Sequence, residues 1–352
     1  MPLDHIYATY LPLVENELRE ALDSPHPVLA PFYGMMQYHL GWKDAALKPA
    51  LATAGKRIRP ILCLLACQAA GGDPTLALPA AASLELVHNF SLIHDDIEDN
   101  SATRRHRPTV WALWGEPQAI NAGDGMFALA YLTMGRLPCV GVAPDLTMRA
   151  LGALQETCLT LTEGQYLDMR FEAQFELDQD DYLWMIRGKT ATLLATCTRI
   201  GAIIAGAEIP VISALREYGD SLGMSFQIED DILGIWGDEA LTGKPTASDI
   251  RQYKKSLPLV YTAGQLREAG QQAALARLRD IYNGPAVSED DIADVLAIFD
   301  AAGARDYCAG LAREYQVKAL GHLDEAGQSP ACDPEGIELL RELADSLLGR
   351  QS

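Results

Sequence analysis

Ala81-Ala82-Ser83-Leu84-Glu85-Leu86-Val87-His88-Asn89-Phe90-Ser91-Leu92-Ile93-His94-Asp95-Asp96-Ile97-Glu98-Asp99 is an apolar run that ends abruptly in acid. Its apolar residues recur at three- and four-residue steps, the spacing of a buried helix. On a helix Asp95 and Asp99 stand one turn apart on one face, with Asp96 beside them. Carboxylates this close repel each other unless they are protonated or neutralised. Two or three aspartate oxygens on one face suit a hard cation. Mg²⁺ fits best, because it takes few protein ligands and fills its remaining positions with water and phosphate. A solvated acidic helix end would show the same residues, so the surrounding sequence has to decide.

Five positions after Asp99 comes Arg104-Arg105-His106-Arg107-Pro108-Thr109. A basic cluster beside a metal site suits a phosphate or diphosphate that bridges both. His88 lies about two turns before Asp95, on the same side. Gly55-Lys56-Arg57-Ile58-Arg59-Pro60 forms a second basic group. Further on, Phe226-Gln227-Ile228-Glu229-Asp230-Asp231-Ile232-Leu233-Gly234 repeats the acidic pattern, with Gln227 one turn before Asp231. One turn after Asp230, where the first group has its third aspartate, stands Gly234. Gly188-Lys189-Thr190 offers an ammonium and a hydroxyl, and Glu163-Gly164-Gln165-Tyr166-Leu167-Asp168 adds polar groups to a helical stretch. Lys244, Lys254 and Lys255 follow the second group. Two acidic helices facing each other among these bases would form a box for a metal-bound diphosphate.

Working outward, the periodicity is helical almost throughout, as in Ile61–Ala70, Ala119–Met134, Ala150–Glu172 and Asp181–Ala205. Breakers fall between these runs, at Gly71-Gly72-Asp73-Pro74, Arg107-Pro108 and Gly206–Pro210. No repeat, Ser/Gly linker or charge block divides the chain. The expectation is an all-α fold, one helical bundle around a central cavity, spanning residues 1–352 as a single domain. Gly237–Pro258 is the exception and reads as a long surface loop or broken short helix, either a lid or a plain connector. The 48 acidic and 28 basic residues give a net charge of −20. Such a surface repels nucleic acid and anionic membranes. The seven cysteines lack paired spacing, and Cys63 and Cys67 read as core thiols. Free thiols fit a reducing cytoplasm. The N-terminus lacks a signal-peptide pattern. No uninterrupted run reaches the roughly 18–20 residues of a membrane span, so no transmembrane segment is expected.

Taken together, GKRIRP, LIHDDIED with the following RR and RPT, EGQYLD, GKT, FQIEDD, GDEALTGK and KKSLP closely resemble the trans-isoprenyl diphosphate synthases, or polyprenyl synthetases. The likeness runs from about Gly55 to Pro258, with the motifs in the family's order. It implies an all-helical enzyme, usually a homodimer, that transfers an allylic prenyl group head-to-tail onto isopentenyl diphosphate. By this likeness Lys56, Arg59, His88 and Arg105 would hold isopentenyl diphosphate. Asp95, Asp96 and Asp99, with Asp230 and Asp231 opposite, would bind Mg²⁺, three ions when substrate is present. Arg104, Lys189, Thr190, Gln227, Lys244 and Lys254 would contact the allylic diphosphate. Asp95, Asp96, Lys189 and Asp230 would carry the catalysis. The sequence departs from the pattern at Gly234, where an aspartate is usual. It departs again at His106 and Arg107, where glycine and lysine are common, and at Trp111, where histidine is common.

The implied reaction is ionisation, condensation and elimination, with water kept out by closure of the Gly243–Lys255 segment. The growing tail would run along the helix that ends at Asp95. Phe90, with Ser91 and Val87 beside it, would floor that tunnel, though Phe90 also reads as ordinary core. An aromatic there resembles short-chain synthases, which points to geranylgeranyl (C20) or farnesyl (C15) diphosphate as product. Two rivals remain: a class I terpene cyclase, which needs no isopentenyl site, and a non-catalytic synthase subunit, which would be expected to lack the first aspartates.

Overall fold

The computed structural model describes residues 3–52, 55–237 and 246–348. The chain is all-α apart from one two-stranded hairpin, β1 (Thr103–Arg104) paired antiparallel with β2 (Arg107–Pro108). It groups into two compact units. The first comprises Met1–Cys158, Thr196–Arg216 and Leu323–Leu343; the second comprises Leu159–Ala195, Glu217–His322 and Ala344–Ser352.

The first unit is built on α1 (Leu3–Ala21), α2 (Ala30–His39), α3 (Ile58–Ala69), α4 (Leu78–Glu98), α5 (Val110–Trp114), α6 (Glu116–Met134) and the start of α7 (Pro144–Glu172). The helix α4 is the quoted stretch. It packs chiefly along α6, and also against α3 and α1. Ala80 to Ala82, Leu84, Leu86 and Val87 are completely buried, so the run is apolar on every side because neighbours surround it. Its last turns bring the acids to the edge of that core: Asp96 is 1% exposed, whereas Asp99, the C-cap, is open to solvent. The stretch Pro74–Glu98 is long and apolar enough to cross a membrane by length and composition, which the uninterrupted-run criterion did not detect. In its most apolar window, 67% is buried inside the protein, as in a core helix.

In the second unit, α8 (Gln179–Ile186) runs into a single π turn, Arg187–Ala191; the helix that continues it, α9 (Thr192–Ile204), belongs from Thr196 on to the first unit. The sequence pattern predicts one helix over Asp181–Ala205; the π turn interrupts it at GKT. The long helix α10 (Ile209–Trp236) carries the second acidic group. Then come α11 (Ser248–Arg251), α12 (Leu257–Glu268), α13 (Gln272–Tyr282), α14 (Glu289–Ala301) and α15 (Ala304–Gly327); the last described helix, α16 (Pro334–Leu348), belongs up to Leu343 to the first unit. Sequence signals start some of these plainly. Ser288 and Asp291 form a reciprocal capping box at α14. Two apolar clusters hold this unit together, one around Phe299, Leu278 and Ile235, the other around Ile228, Met224 and Ala191. The described end of the expected loop is not superficial: Ala247, Ser248, Asp249 and Ile250 are all buried.

Candidate functional site

At the end of α4, Arg104 bridges the first two acids. Its Nε donates to Asp96 Oδ1 at 2.6 Å and its Nη2 to Asp95 Oδ2 at 2.9 Å. Burial pushes the Asp96 carboxyl up to about 6, against the pull of Arg104. Asp96 Oδ2 is buried without a hydrogen-bond partner among the described residues. Arg104 reaches the acids because the chain reverses immediately after it. Arg105 and His106 form the two-residue tip of the β1–β2 hairpin, with φ of 52° and 60°. Such tips need left-handed residues at both positions, which is why glycine is favoured there. Arg107 is tied down behind the tip: it donates to the Tyr38 and Lys43 carbonyls at 3.0 and 2.7 Å, and its guanidinium lies 3.9 Å from the Tyr38 ring centre. Trp111 donates its indole N–H to Ser101 O at 2.9 Å. These two departures from the family pattern therefore brace the hairpin.

The GKRIRP turn meets this hairpin. A Cβ added at Gly55, itself at φ +87°, would lie 3.0 Å from Arg105 Nη2, so glycine permits the approach. Arg57 is 3% exposed, in a left-handed conformation, and pairs with Glu15 at 2.9 Å and Glu85 at 2.8 Å. Asn89 donates to the same Glu85 oxygen at 2.8 Å. Arg59 Nε is buried without a hydrogen-bond partner among the described residues. Burial, then Arg59 and Arg105, hold His88 well below the usual histidine range, so it is neutral at pH 7. His39 is held down in the same way, by burial and by Arg105 and Arg104. Lys56 is exposed. Arg59 and Arg105 thus both lie near His88, and Lys56 stands on the turn that carries Arg59.

The second acidic group divides its labour. Asp231 is 4% exposed, and its oxygens accept from Tyr182 Oη, from Leu257 N at 3.1 Å and from Gln227 Nε2 at 3.1 Å. Burial pushes it up to about 7 despite these donors. Gln227 Oε1 in turn accepts from Thr190 Oγ1 at 2.8 Å. Asp230 is exposed on the same helix. Lys189 pairs with Asp168 of α7. That contact depends on a close backbone approach, because a Cβ at Gly164 would sit 2.3 Å from Lys189 N. Burial opposes the charge on Lys254, but Asp249 and Asp230 outweigh it and raise its pKa. The predicted contact Lys244 lies outside the described residues.

The acids fit a magnesium ion that shares its coordination with phosphate. Among the described residues no three His, Cys, Asp or Glu side chains form a protein-only metal cage. The buried, unpartnered Asp96 Oδ2 is an oxygen donor of the kind a hard cation takes. Sequence reasoning missed His39, Glu15, Glu85, Asn89 and Tyr182. All but Asn89, which bonds Glu85 one turn back on α4, act across a tertiary contact, and none belongs to a motif; only the acid at Glu85, inside an otherwise apolar run, could have been noticed.

Comparison with known proteins gives concordant findings. The polyprenyl synthetase family model matches residues 41–299. The (2E,6E)-farnesyl diphosphate synthase of Mycobacterium tuberculosis (strain ATCC 25618 / H37Rv) is 40% identical over 344 residues, covering 97% of this chain and 91% of that protein. The geranylgeranyl diphosphate synthase of the same organism is 40% identical over 316 residues, covering 89% and 86%. Among solved structures, polyprenyl synthetase from Streptomyces coelicolor A3(2) superposes with a TM-score of 0.87 at 35% identity, covering 99% of this chain and all of that one. Geranylgeranyl pyrophosphate synthase from Corynebacterium glutamicum, complexed with isoprenyl diphosphate and magnesium, gives 0.83 at 28% identity, with full coverage of both chains.

Proposed function

The chain belongs to the polyprenyl synthetase family, and from that premise we propose that it is a short-chain prenyltransferase condensing an allylic diphosphate with isopentenyl diphosphate, its product C20 or C15. One observation carries the choice. Arg59 and Arg105 both bear on His88, and Gly55 lies close to Arg105, which supports reading this group as a second anion site. A condensing enzyme must hold two diphosphates, whereas a cyclase holds one. The intact Asp95, Asp96 and Asp99 speak against a non-catalytic subunit.

In this reading Asp95, Asp96 and Asp99 hold Mg²⁺ in the first unit, and Asp230, backed by Asp231, holds it in the second. Magnesium would withdraw charge from the allylic diphosphate as its C–O bond breaks. Arg104 would bind diphosphate at the acids of the first unit; Lys189 and Lys254 would bind it at Asp230 in the second, where Thr190 and Gln227 would orient it by hydrogen bonds. Lys56, Arg59 and Arg105 would hold isopentenyl diphosphate, with neutral His88 as a hydrogen-bonding partner rather than a further cation. The double bond attacks the allylic carbon, and the proton then lost passes to the released diphosphate. Phe90, with Val87 and Ser91, would limit the tail. Its ring is half-buried and packs edge-on to Phe127, centroids 5.0 Å apart.

The seven cysteines are all unpaired, which supports a cytoplasmic site of action. Ile120, Phe127 and Leu132 stay exposed on α6, which supports a homodimer formed there. The family match runs through sequence belonging to both units, which supports a single functional domain over 1–352. The deciding experiment is incubation with Mg²⁺, isopentenyl diphosphate and, in turn, dimethylallyl, geranyl and farnesyl diphosphate, with the products sized. Consumption of isopentenyl diphosphate into C15 or C20 product is expected. If it is never consumed, the transferase reading fails.

A further inference from the structure

The first unit holds a cavity of about 510 Å³ that is lined by none of the residues assigned to the reaction. Its walls are α7, the part of α9 from Thr196 on, and the opening turns of α10 up to Arg216. Three arginines line it, Arg149 of α7, Arg199 of α9 and Arg216 of α10, against one acid, Glu156. Arg199 Nη1 donates to that Glu156 at 2.6 Å. The lining is therefore net positive in a chain whose net charge is −20. Apart from Ser213, the rest of it is apolar. Ala153, Ile203 and Ile212 are buried, and Ile209 stands open to solvent at the rim.

The walls are held by the fold. Thr157 of α7 and Thr196 of α9 hydrogen-bond through their hydroxyls. Gly201 lets α9 lie against α3, since a Cβ there would sit 2.3 Å from Cys63 O. One side is left open by Gly152. It lies inside the 29-residue α7, where glycine weakens a helix relative to alanine. A Cβ at Gly152 would meet no described atom within 4 Å, whereas one at Gly164, on the same helix, would strike Lys189 N. Gly164 admits a neighbouring backbone; Gly152 admits only the open cavity.

We propose that this cavity binds a prenyl diphosphate, with the arginines on its diphosphate and the isoleucines along its tail. Guanidinium forks match phosphate oxygens two at a time. Ligand cavities of roughly 300–1,000 Å³ combine apolar walls with a few convergent polar groups. A free phosphate makes no use of the isoleucine wall, and a neutral lipid makes none of the arginines. The choice of tail rests on the prenyltransferase reading, which makes prenyl diphosphates the amphipathic anions this chain handles. The cavity is a second place for them and shares no residue with the condensation site.

The test is a count of binding sites. Farnesyl diphosphate is titrated with Mg²⁺ into wild type, the double variant Arg149→Gln/Arg216→Gln, Gly152→Phe and Asp95→Ala by isothermal calorimetry, with light scattering and thermal melts alongside. Wild type should bind two molecules per chain. The arginine variant should weaken one of them on the order of tenfold or more and leave turnover unchanged. Gly152→Phe, whose ring would enter the cavity, should abolish the same one, and Asp95→Ala should weaken the other. Inorganic diphosphate should occupy the cavity more weakly than farnesyl diphosphate, because it leaves the apolar wall wet. One molecule per wild-type chain, lost in Asp95→Ala and kept in the arginine variant, overturns the proposal. So does inorganic diphosphate that binds the cavity as tightly. A Gly152→Phe protein that melts like wild type but differs from it in oligomeric state overturns it too, since that face then belongs to a contact between copies. Should Gly152→Phe fail to fold, the arginine variant, changed only at two exposed positions, decides alone. If wild type binds one molecule, lost in the arginine variant and kept in Asp95→Ala, the cavity stands and the prenyltransferase reading falls.

Discussion

At the scale of single residues, the acids at the end of α4 differ in environment although they are adjacent in sequence. Asp96 is buried and pushed up to about 6, and Asp231 in the second unit is pushed up to about 7, both by burial. The sign of the consequence is fixed. Each folded carboxyl has a pKa above its unfolded value, so the fold favours the neutral form. The folded chain then takes up protons as pH falls through about 7 and 6, before the unfolded chain does, and its intrinsic stability rises over that window. Metal binding needs the ionised forms and runs the other way. The gain in melting temperature produced by Mg²⁺ with diphosphate should therefore be large at pH 8 and mostly gone by about pH 5.5, as differential scanning fluorimetry across that range would show. Asp95→Ala should reduce Mg²⁺-dependent turnover by at least about 10³-fold, since it removes a ligand that acts on the developing leaving-group charge. Near wild-type turnover would refute its assignment. The aspartates themselves were legible, because spacing alone puts Asp95 and Asp99 on one face. The contrast between exposed Asp230 and enclosed Asp231 was not, since it depends on Tyr182 and on the backbone N–H of Leu257.

At the scale of elements, the helices were legible from periodicity, but their interruptions were not. The run Asp181–Ala205 reads as continuous helix, and only the structure shows the π turn at Arg187–Ala191. Such turns are frequent at functional sites because they re-aim side chains; here the turn carries Lys189 and Thr190. The reason lies partly outside the segment, in Gly164 of α7, whose missing Cβ lets Lys189 approach and reach Asp168. Gly164→Ala should push the two backbones apart, costing about 1–3 kcal/mol in chemical denaturation. It should also cut turnover more than Asp168→Asn does. If Gly164→Ala is neutral in both assays, the close approach has no functional weight. On α4, Phe90→Ala should lengthen the products, because Phe127 alone would then close that side of the helix pair. An unchanged chain length on chromatography would remove Phe90 from that role.

At the scale of the whole molecule, the −20 net charge speaks against nucleic acid and anionic membranes but not against a small anion held by local bases. Bases are collected where acids or substrate neutralise them, and one of them, Arg57, is neutralised inside the protein. Glu85→Ala would take the buried acid from that guanidinium and leave it the partly exposed Glu15. Removing one partner of a buried pair typically costs about 3–5 kcal/mol. Equilibrium denaturation should show a loss near the lower end of that range, because Glu15 remains, and the Michaelis constant for isopentenyl diphosphate should rise. Residues 1–50 carry no motif, and their sequence gives no hint of a part in this. Yet Glu15 on α1 holds both Arg57 and the Trp42 indole, the latter at 2.8 Å. The N-terminal helix is thus a tether thrown over forty positions of chain to the turn that presents Lys56 and Arg59. A protease nick or a frayed end at α1 would loosen that turn without touching it. The placement of two basic residues depends on a stretch of sequence that carries no motif of its own.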